Sequence, residues 1–173
     1  MTSEERSQYR GQTMRIVTSL IASCLLLSGA ALNAQLATKK SMTLEAARQI
    51  AAAAEAEAKK NKWNVVIAIV DDGANLVYLQ KMDETQIGSI EVAQEKARTA
   101  VKFKRASKVF EEAVKGGRQV VLKLPGALPI EGGLPLMSDG KVIGAIGVSG
   151  VQSNEDGIIA AAGEAAFSRM AAR

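Results

Sequence analysis

Apolar positions after Thr43 recur at intervals of three and four residues, a spacing that predicts an amphipathic helix. Thr43 is placed to cap the N-terminus of this helix, and Glu45 in the first turn interacts favourably with the helix dipole. The predicted buried stripe consists mostly of small side chains, which allow close packing. Its members are Leu44, Ala47, Ile50, Ala51, Ala54 and Ala58.

Two pairs of hydrophobic runs, each interrupted by turn residues, predict two β-hairpins. The first pair covers residues 65–70 and 76–79 around the turn DDGAN, and the second covers 134–137 and 142–148 around SDGK. Between the hairpins, the run at 119–122 predicts a short strand or an extended piece.

Helical periodicity returns in two further places. The segment from Ile87 to Lys115 has one apolar face, and the periodicity weakens near Lys104, where we expect a break between two helices. A last helix is expected from about Ser153, with Ser153 or Asn154 as its N-cap. Its predicted buried side consists of Ile158, Ile159, Ala162, Ala166 and Met170.

The order of these elements predicts an α/β fold of the α+β type. Hairpins require antiparallel pairing, and helices on both sides of the resulting sheet give a three-layer sandwich. At 173 residues the chain has the length of one domain. Only 3% of its residues are aromatic, so we expect an aliphatic, closely spaced core.

The N-terminal segment has the pattern of a secretory signal peptide. Arg15 precedes an apolar run over residues 16–27, and small residues follow at Ala31 and Ala34. This run is shorter than the roughly 20 residues that span a bilayer. The pattern therefore predicts export to the periplasm or the medium.

The predicted signal peptide covers residues 1–34, with the cut near Ala31 to Ala37 and Met14 as an alternative start, and the domain covers 41–173. Cys24 is the only cysteine and would be removed with the signal. The mature chain would then have no disulfide and no thiol nucleophile, so packing or oligomerisation must stabilise it.

Charge and residue types exclude several classes of function. The formal net charge is +4 and both signs are interspersed, which argues against nucleic acid as a partner. The chain contains no histidine, so a Ser-His-Asp triad and a Cys-His dyad are excluded. Zinc would lack both histidine and mature cysteine, and we expect no metal site. A catalyst would have to use carboxylate, lysine or tyrosine.

Four segments, in this order and spacing, carry a family resemblance. They read MTLEAA, AIVDDGANLVYLQKMD, SIEVAQEKARTA and LPIEGGLPLMSDGKVIGAIGVSG. From about Met42 to Phe167 the chain resembles the GlcG/HbpS-like haem-binding (haem-degrading) family, which is related to the C-terminal domain of PduO. The resemblance implies a profilin-like sandwich with a central antiparallel sheet, assembly into homo-oligomers, and haem binding in some members.

The glycine-rich stretch from Gly132 to Gly150 contains several candidate site residues. Gly144 and Gly147 fall in a predicted strand, where glycine permits close approach of a helix, a subunit or a ligand. Packing is the simpler interpretation for Gly144. The preceding PGALPIEGGLP predicts an irregular backbone of the kind that carries binding surfaces. The glycine candidates for ligand binding are Gly132, Gly133 and Gly147.

Lys96 and Glu131 are the candidate catalytic residues. Lys96 falls on the apolar side of the predicted second helix, where a lysine either extends to solvent or meets an anion such as a carboxylate, and extension to solvent is the more common outcome. Glu131, in the loop, is suited to act as a base beside Lys96 or Arg98, although an exposed loop glutamate is the simpler interpretation.

Further candidates for ligand binding lie outside the glycine-rich stretch. Arg98 and Arg105 are suited to hold carboxylates by forked hydrogen bonds, whereas solvated helix faces often look the same. Surface pairing is the simpler interpretation for Lys81 and Asp83. With Arg98 and Tyr78 they complete the predicted ligand-binding set.

Haem is the cofactor that the resemblance suggests, but an axial histidine is excluded. Tyr78, the methionines or a deprotonated lysine remain as iron ligands. The first function hypothesis is an exported, oligomeric protein that binds haem or another planar carboxylated molecule, in a pocket between the second hairpin and the second helix. The second is a metal-independent lyase or isomerase of small-molecule catabolism, and the third is an interaction module with Gly147 in a subunit contact.

Overall fold

The computed structural model describes residues 38–172, and the predicted signal peptide and its cleavage region lie outside them. Helix α1 spans Leu44–Asn61, and strands β1 and β2 span Val66–Asp71 and Leu76–Lys81. Helices α2 and α3 span Ser89–Phe103 and Lys108–Lys115, followed by a 3₁₀ helix over Gln119–Lys123. Strands β3 and β4 span Gly133–Ser138 and Lys141–Ser149, and helix α4 spans Ser153–Ala171.

The four strands form one antiparallel sheet in the order β2-β1-β4-β3. Each predicted hairpin supplies two neighbouring strands, and β1 pairs with β4 to join them, for example at Asp71 and Gly144. Helices α1 and α4 cover one face of the sheet and α2 covers the other. The expected three-layer sandwich is confirmed.

Strand β1 is buried on both faces. Ile67 and Ile69 join the core formed with α1 and α4, while Val66, Ala68 and Val70 pack on the α2 side. All five are fully buried. This double burial explains why the strand has a continuous apolar run without polar alternation.

Helix α1 agrees with its sequence pattern. The hydroxyl of Thr43 accepts a hydrogen bond from the N–H of Ala46 at 3.1 Å, which confirms the predicted cap. Five of the six stripe residues are buried, and Leu44 is 47% exposed. The expected break after α2 is also confirmed, because Lys104 ends that helix in the left-handed conformation with φ of 53°.

The prediction of a strand or extended piece at 119–122 is wrong. This segment is a 3₁₀ helix, in which the N–H of Val121 donates to the carbonyl of Arg118 and that of Leu124 donates to Val121. An extended segment needs a neighbouring strand to satisfy its backbone groups. Here short local hydrogen bonds satisfy them instead.

The predicted cap and buried face of α4 also need correction. Gln152 is the N-cap and forms a capping box with Glu155, so the helix begins at Ser153. Of the predicted buried side only Ile159 is buried, and Ile158 is 49% exposed. The sequence of α4 is apolar on most sides, so periodicity could not select the face. The buried residues are Asp156, Ile159, Ala160, Gly163 and Phe167.

Candidate functional site

Lys96 meets a carboxylate inside the protein. Its Nζ lies 2.7 Å from Oδ2 of Asp156, and the two side chains are 1% and 2% exposed. Asp156 lies in the first turn of α4, and its Oδ1 accepts a hydrogen bond from the N–H of Val151 at 3.3 Å. The ion pair therefore connects α2 and α4, which cover opposite faces of the sheet.

The environment of this pair changes the acidity of Asp156. Burial raises the pKa of its carboxyl, while the ammonium of Lys96 and the N–H of Val151 act in the opposite direction; the net pKa is raised. A raised pKa occurs in acid-base catalysts and also in structural ion pairs. Sequence reasoning missed Asp156, because an acidic residue in a first helical turn is ordinary.

Two glycines bring the loop before β3 against Lys96. Gly132 has φ of +124°, and a Cβ there would lie 2.7 Å from the carbonyl oxygen of Val148 and 3.0 Å from Nζ of Lys96. A Cβ at Gly133 would lie 2.2 Å from the carbonyl oxygen of Lys96. Both positions therefore require glycine for close approach, and Gly132 also requires it for its backbone conformation.

Gly147 serves the packing of α2 on β4. A Cβ there would lie 2.0 Å from the carbonyl oxygen of Ala93 and 2.6 Å from the backbone nitrogen of Ala97. Of the three partners considered for Gly147, the structure places a helix of the same chain against it. At this point the space between α2 and the second hairpin is filled by direct packing.

Buried hydroxyls hold the loop that carries Glu131. The Oγ of Ser107 accepts the N–H of Gly133 at 2.9 Å and donates to the carbonyl of Ile130 at 2.6 Å. The Oγ1 of Thr99 accepts the N–H of Leu128 at 2.8 Å. Ser107 precedes α3 like an N-cap, but its side chain does not cap that helix. In the sequence, a serine directly before a helix indicates an N-cap, so the contact of Ser107 with the loop could not be predicted.

Glu131 lies at the N-terminal end of α4. Its carboxylate pairs with Lys108 at 3.2 Å and contacts Gly157, where a Cβ would lie 2.5 Å from Oε1. Gly157 directly follows Asp156, so both candidate catalytic residues reach the same end of α4. Each already has a partner, since Lys96 pairs with Asp156 and Glu131 with Lys108.

The other predicted residues lie elsewhere. Arg98 pairs with Glu95 at 2.7 Å and donates to the carbonyl of Ala74 in the β1–β2 turn at 3.4 Å. The hydroxyl of Tyr78 donates to Gln80 at 3.2 Å. Tyr78 and Lys81 are in β2, and β2 and β3 form opposite edges of the sheet. Lys81 and Asp83 line a polar cleft of about 450 Å³ with Glu55, Lys59, Asn64, Gln80, Met82 and Glu84.

A lysine-rich cleft lies at the β3–β4 turn. It has a volume of about 320 Å³ and is lined by four lysines together with Asp72 and apolar residues. Lys39 pairs with Asp72, and Lys40 pairs with Asp139 at 3.1 Å. The remaining lysines are Lys104 and Lys141.

An apolar cleft with two arginines lies between α3 and the 3₁₀ helix, and we call it the α3 cleft. It has a volume of about 330 Å³. The rings of Phe103 and Phe110 meet edge to face with centroids 5.1 Å apart. The guanidinium of Arg105 lies 5.8 Å from the ring centroid of Phe110. The lining residues are Phe103, Arg105, Val109, Phe110, Ala113, Arg118, Val120, Val121 and Leu124.

Neither arginine of the α3 cleft has a salt bridge to a carboxylate among residues 38–172. An apolar surface beside two such guanidinium groups is suited to a planar molecule with carboxylates. Arg105 was a sequence candidate, whereas Arg118 was not. The cleft depends on the 3₁₀ helix, which the sequence pattern had indicated as extended.

Within residues 38–172 no group of three or more histidine, cysteine, aspartate or glutamate side chains is placed to hold a metal ion. No helix over the same residues is both long enough and apolar enough to traverse a bilayer.

Comparison with known proteins identifies the family. Residues 42–165 match the family described as haem degrading protein HbpS-like. The chain belongs to this family. It is 43% identical to protein GlcG of Escherichia coli over 112 aligned residues. The alignment covers 65% of this chain and 84% of GlcG. The chain is 36% identical over 133 residues to an uncharacterised 15.0 kDa protein of Citrobacter freundii, covering 75% of this chain and 94% of that protein.

Solved structures of relatives share the sandwich. The Klebsiella pneumoniae protein ORFY has a TM-score of 0.71 and 32% identity, covering 80% of this chain and 98% of that one. A double mutant of Streptomyces reticuli HbpS has a TM-score of 0.70 and 31% identity, covering 79% of this chain and 93% of HbpS. The protein of a PduOC:haem complex has a TM-score of 0.67 and 28% identity, covering 73% of this chain and 95% of PduOC.

Proposed function

We propose that this HbpS-like chain is an exported, oligomeric protein that binds haem or another planar, carboxylated small molecule in the α3 cleft. The observation that carries the proposal is that Arg105 and Arg118 line a cleft whose other lining residues are apolar. Family membership supports a ligand of this kind, since PduOC was crystallised with haem.

The lining of the α3 cleft suits the ring and the carboxylates of such a ligand. Phe103, Val109 and Val120 offer apolar surface to a planar ring, and the two arginines offer charge-assisted hydrogen bonds to carboxylates. A volume of about 330 Å³ is at the lower end for small-molecule pockets, so a tetrapyrrole would insert one edge and leave the other outside.

The same lining does not suit haem iron. Iron in haem proteins is held by histidine, cysteine, methionine or tyrosine. None of the nine lining residues is of these types. We therefore assign no chemical step to haem in this cleft, and the proposal concerns binding.

Export and oligomerisation rest on separate observations. The signal-peptide pattern of residues 1–34 supports export. Exposed apolar side chains outside the α3 cleft support contacts between subunits, among them Ile87 at 80% and Ile158 at 49% exposure.

A haem titration of the chain beginning at Gln35 tests the proposal. We expect a saturable absorbance change in the Soret region at one haem per subunit, and weaker binding for the Arg105→Gln and Arg118→Gln variants. Removal of one charge-assisted contact should weaken binding about tenfold or more. Arg48→Gln, on exposed α1 surface, is the matched control and should bind like the parent chain.

Two outcomes would contradict the proposed site. One is the absence of any saturable change while light scattering shows a folded, homogeneous protein. The other is equal affinity in all three arginine variants, which would place haem outside the α3 cleft.

The alternative of a metal-independent lyase or isomerase has one supporting observation. Glu131 and Lys96 both reach the N-terminal end of α4, and burial raises the pKa of Asp156 there. However, Lys96 is enclosed by Asp156 and Gly132, and it is only 1% exposed. Packing accounts for this arrangement, so we place binding first.

A further inference from the structure

We infer that recognition in the α3 cleft is independent of iron, so that a metal-free dicarboxylic porphyrin binds as tightly as haem. This inference rests on the proposed function and specifies the ligand class. It follows from the kinds of group that line the cleft, which supply apolar contact and positive charge but no ligand for a metal.

The polar side chains in the lining cannot ligate iron. Arg105 and Arg118 are the only lining residues that are not apolar. A guanidinium remains protonated in proteins and has five N–H donors but no acceptor lone pair. It can therefore bind a carboxylate, whereas it cannot donate electrons to a metal.

No lysine lines the α3 cleft, and the tyrosine and methionine candidates among the described residues lie on other elements. The hydroxyl of Tyr78 is on edge strand β2 and donates to Gln80. Three methionines, Met42, Met82 and Met170, belong to or pack against the core between the sheet, α1 and α4. Met137 lines the lysine-rich cleft at the β3–β4 turn.

Two contacts within the protein restrain the side chain of Arg105. Its Nε donates to the carbonyl of Phe103 at 3.2 Å, and its guanidinium lies over the ring of Phe110. These contacts leave the terminal Nη groups for a forked pair of hydrogen bonds. Recognition should therefore depend on the carboxylates of the ligand, and esterification of those groups should weaken it.

A second copy of this chain is the competing occupant of the cleft, because Val120 and Leu122 at its edge are exposed. Charge favours the carboxylated ligand. A symmetric contact would bring the arginines of both copies together unless acidic residues faced them. The cleft lining itself contains no acidic residue.

Three ligands separate the contributions of iron and carboxylate. Ferric haem, iron-free protoporphyrin IX and haem dimethyl ester are titrated by equilibrium dialysis, at concentrations at which each is monomeric. We expect the first two to have dissociation constants within about threefold of each other, since no coordination bond contributes. The dimethyl ester should bind roughly tenfold to a hundredfold more weakly, because its charge-assisted hydrogen bonds are lost.

The spectrum of bound ferric haem gives an independent readout. Electron paramagnetic resonance should show no signal of iron ligated by a protein nitrogen or sulfur. The Arg105→Gln/Arg118→Gln double variant should bring haem and protoporphyrin to the same low affinity as the ester. Its unfolding midpoint is compared with that of Arg48→Gln to verify that it is folded.

The possible results separate this inference from the proposed function. Failure of all three ligands to bind would overturn both the inference and the proposed function. A molecular mass showing that a second copy of the chain occupies the cleft would also overturn both. Binding of haem without binding of protoporphyrin would overturn iron independence and leave the proposed function in place. Equal binding of haem and its dimethyl ester would overturn recognition through carboxylates.

Discussion

At the scale of single residues, charge burial is the main feature. Lys96 and Asp156 are almost fully enclosed, whereas the other salt bridges of residues 38–172 have at least one well-exposed partner. An enclosed charge without its partner is strongly destabilising, because the protein interior solvates it poorly. The pair therefore makes the position of α2 relative to α4 specific.

Asp156→Ala should lower the free energy of unfolding by about 3–5 kcal/mol, because it leaves the Lys96 ammonium buried and unpaired. Chemical denaturation measures this change. Glu57→Ala breaks the surface pair with Lys60 and is the control, with a much smaller expected loss. Equal losses in the two variants would contradict a structural role for the buried pair.

Glu111 is a second residue at which charge and position combine. Its carboxylate accepts hydrogen bonds from Lys115, from the backbone N–H of Glu131 and from Ser153. Burial raises the pKa of Glu111, but the hydrogen bonds from Lys115 and Glu131 together lower it by more than burial raises it. The net pKa is therefore below its usual range. The charged form is therefore favoured in the folded state.

The lowered pKa of Glu111 predicts a pH dependence of stability. Its contribution is fully present above the unfolded pKa of a glutamate, about 4.3, and is lost as pH falls through the lower folded pKa. Glu111→Gln should therefore reduce the loss of stability on acidification, as measured by thermal unfolding at several pH values. Glu112→Gln, on the exposed side of α3, should keep the dependence of the parent chain. Parallel curves for the parent and Glu111→Gln would refute this assignment.

At the scale of elements, small residues determine how closely helices approach the sheet. Helix α2 lies directly on β4 because Gly147 leaves room for the backbone of Ala93. On the other face, Gly163 of α4 allows contact with Ile50 of α1, where a Cβ would lie 3.2 Å from its carbonyl oxygen. The few aromatic residues are consistent with such close spacing.

Gly147→Ala should destabilise the protein by about 1–3 kcal/mol, because its Cβ would overlap the α2 backbone and force the layers apart. Denaturant unfolding followed by circular dichroism gives the change. Gly88→Ala is the matched control, since nothing lies within 4 Å of a Cβ there and its effect should be small. A Gly147→Ala protein as stable as the Gly88→Ala protein would show that the layers are not in close contact at this position.

At the scale of the whole molecule, the loop that carries Glu131 is connected to the elements that form the α3 cleft. The loop before β3 is held by Thr99 and Ser107 from the α2–α3 region and by Glu111 from α3. The same α3 forms one wall of the cleft that contains Arg105 and Arg118. Binding in the α3 cleft therefore occurs on an element that is tied to the core by buried hydroxyls.

Local sequence patterns were sufficient to predict the elements whose structure depends mainly on neighbours in the chain. The α1 stripe, the two hairpins, the break at Lys104 and the layered fold were predicted correctly, because periodicity and turn residues depend on neighbours in the chain. They failed for α4, whose many alanines favour no single face, and for residues 119–122, whose apolar run has no neighbouring strand. Lys96 was recognised as a buried lysine or a solvent-reaching one, and only its partner decided between them.

By itself, the sequence determined the element order, the absence of histidine and the family to which the chain belongs. The tertiary structure decided that Lys96 meets Asp156, 60 residues away, and that Gly147 faces a helix of its own chain. It also brought Arg105 and Arg118 to one apolar cleft. These contacts join residues that are distant in the chain, and their formation depends on how the layers pack, which no local pattern encodes.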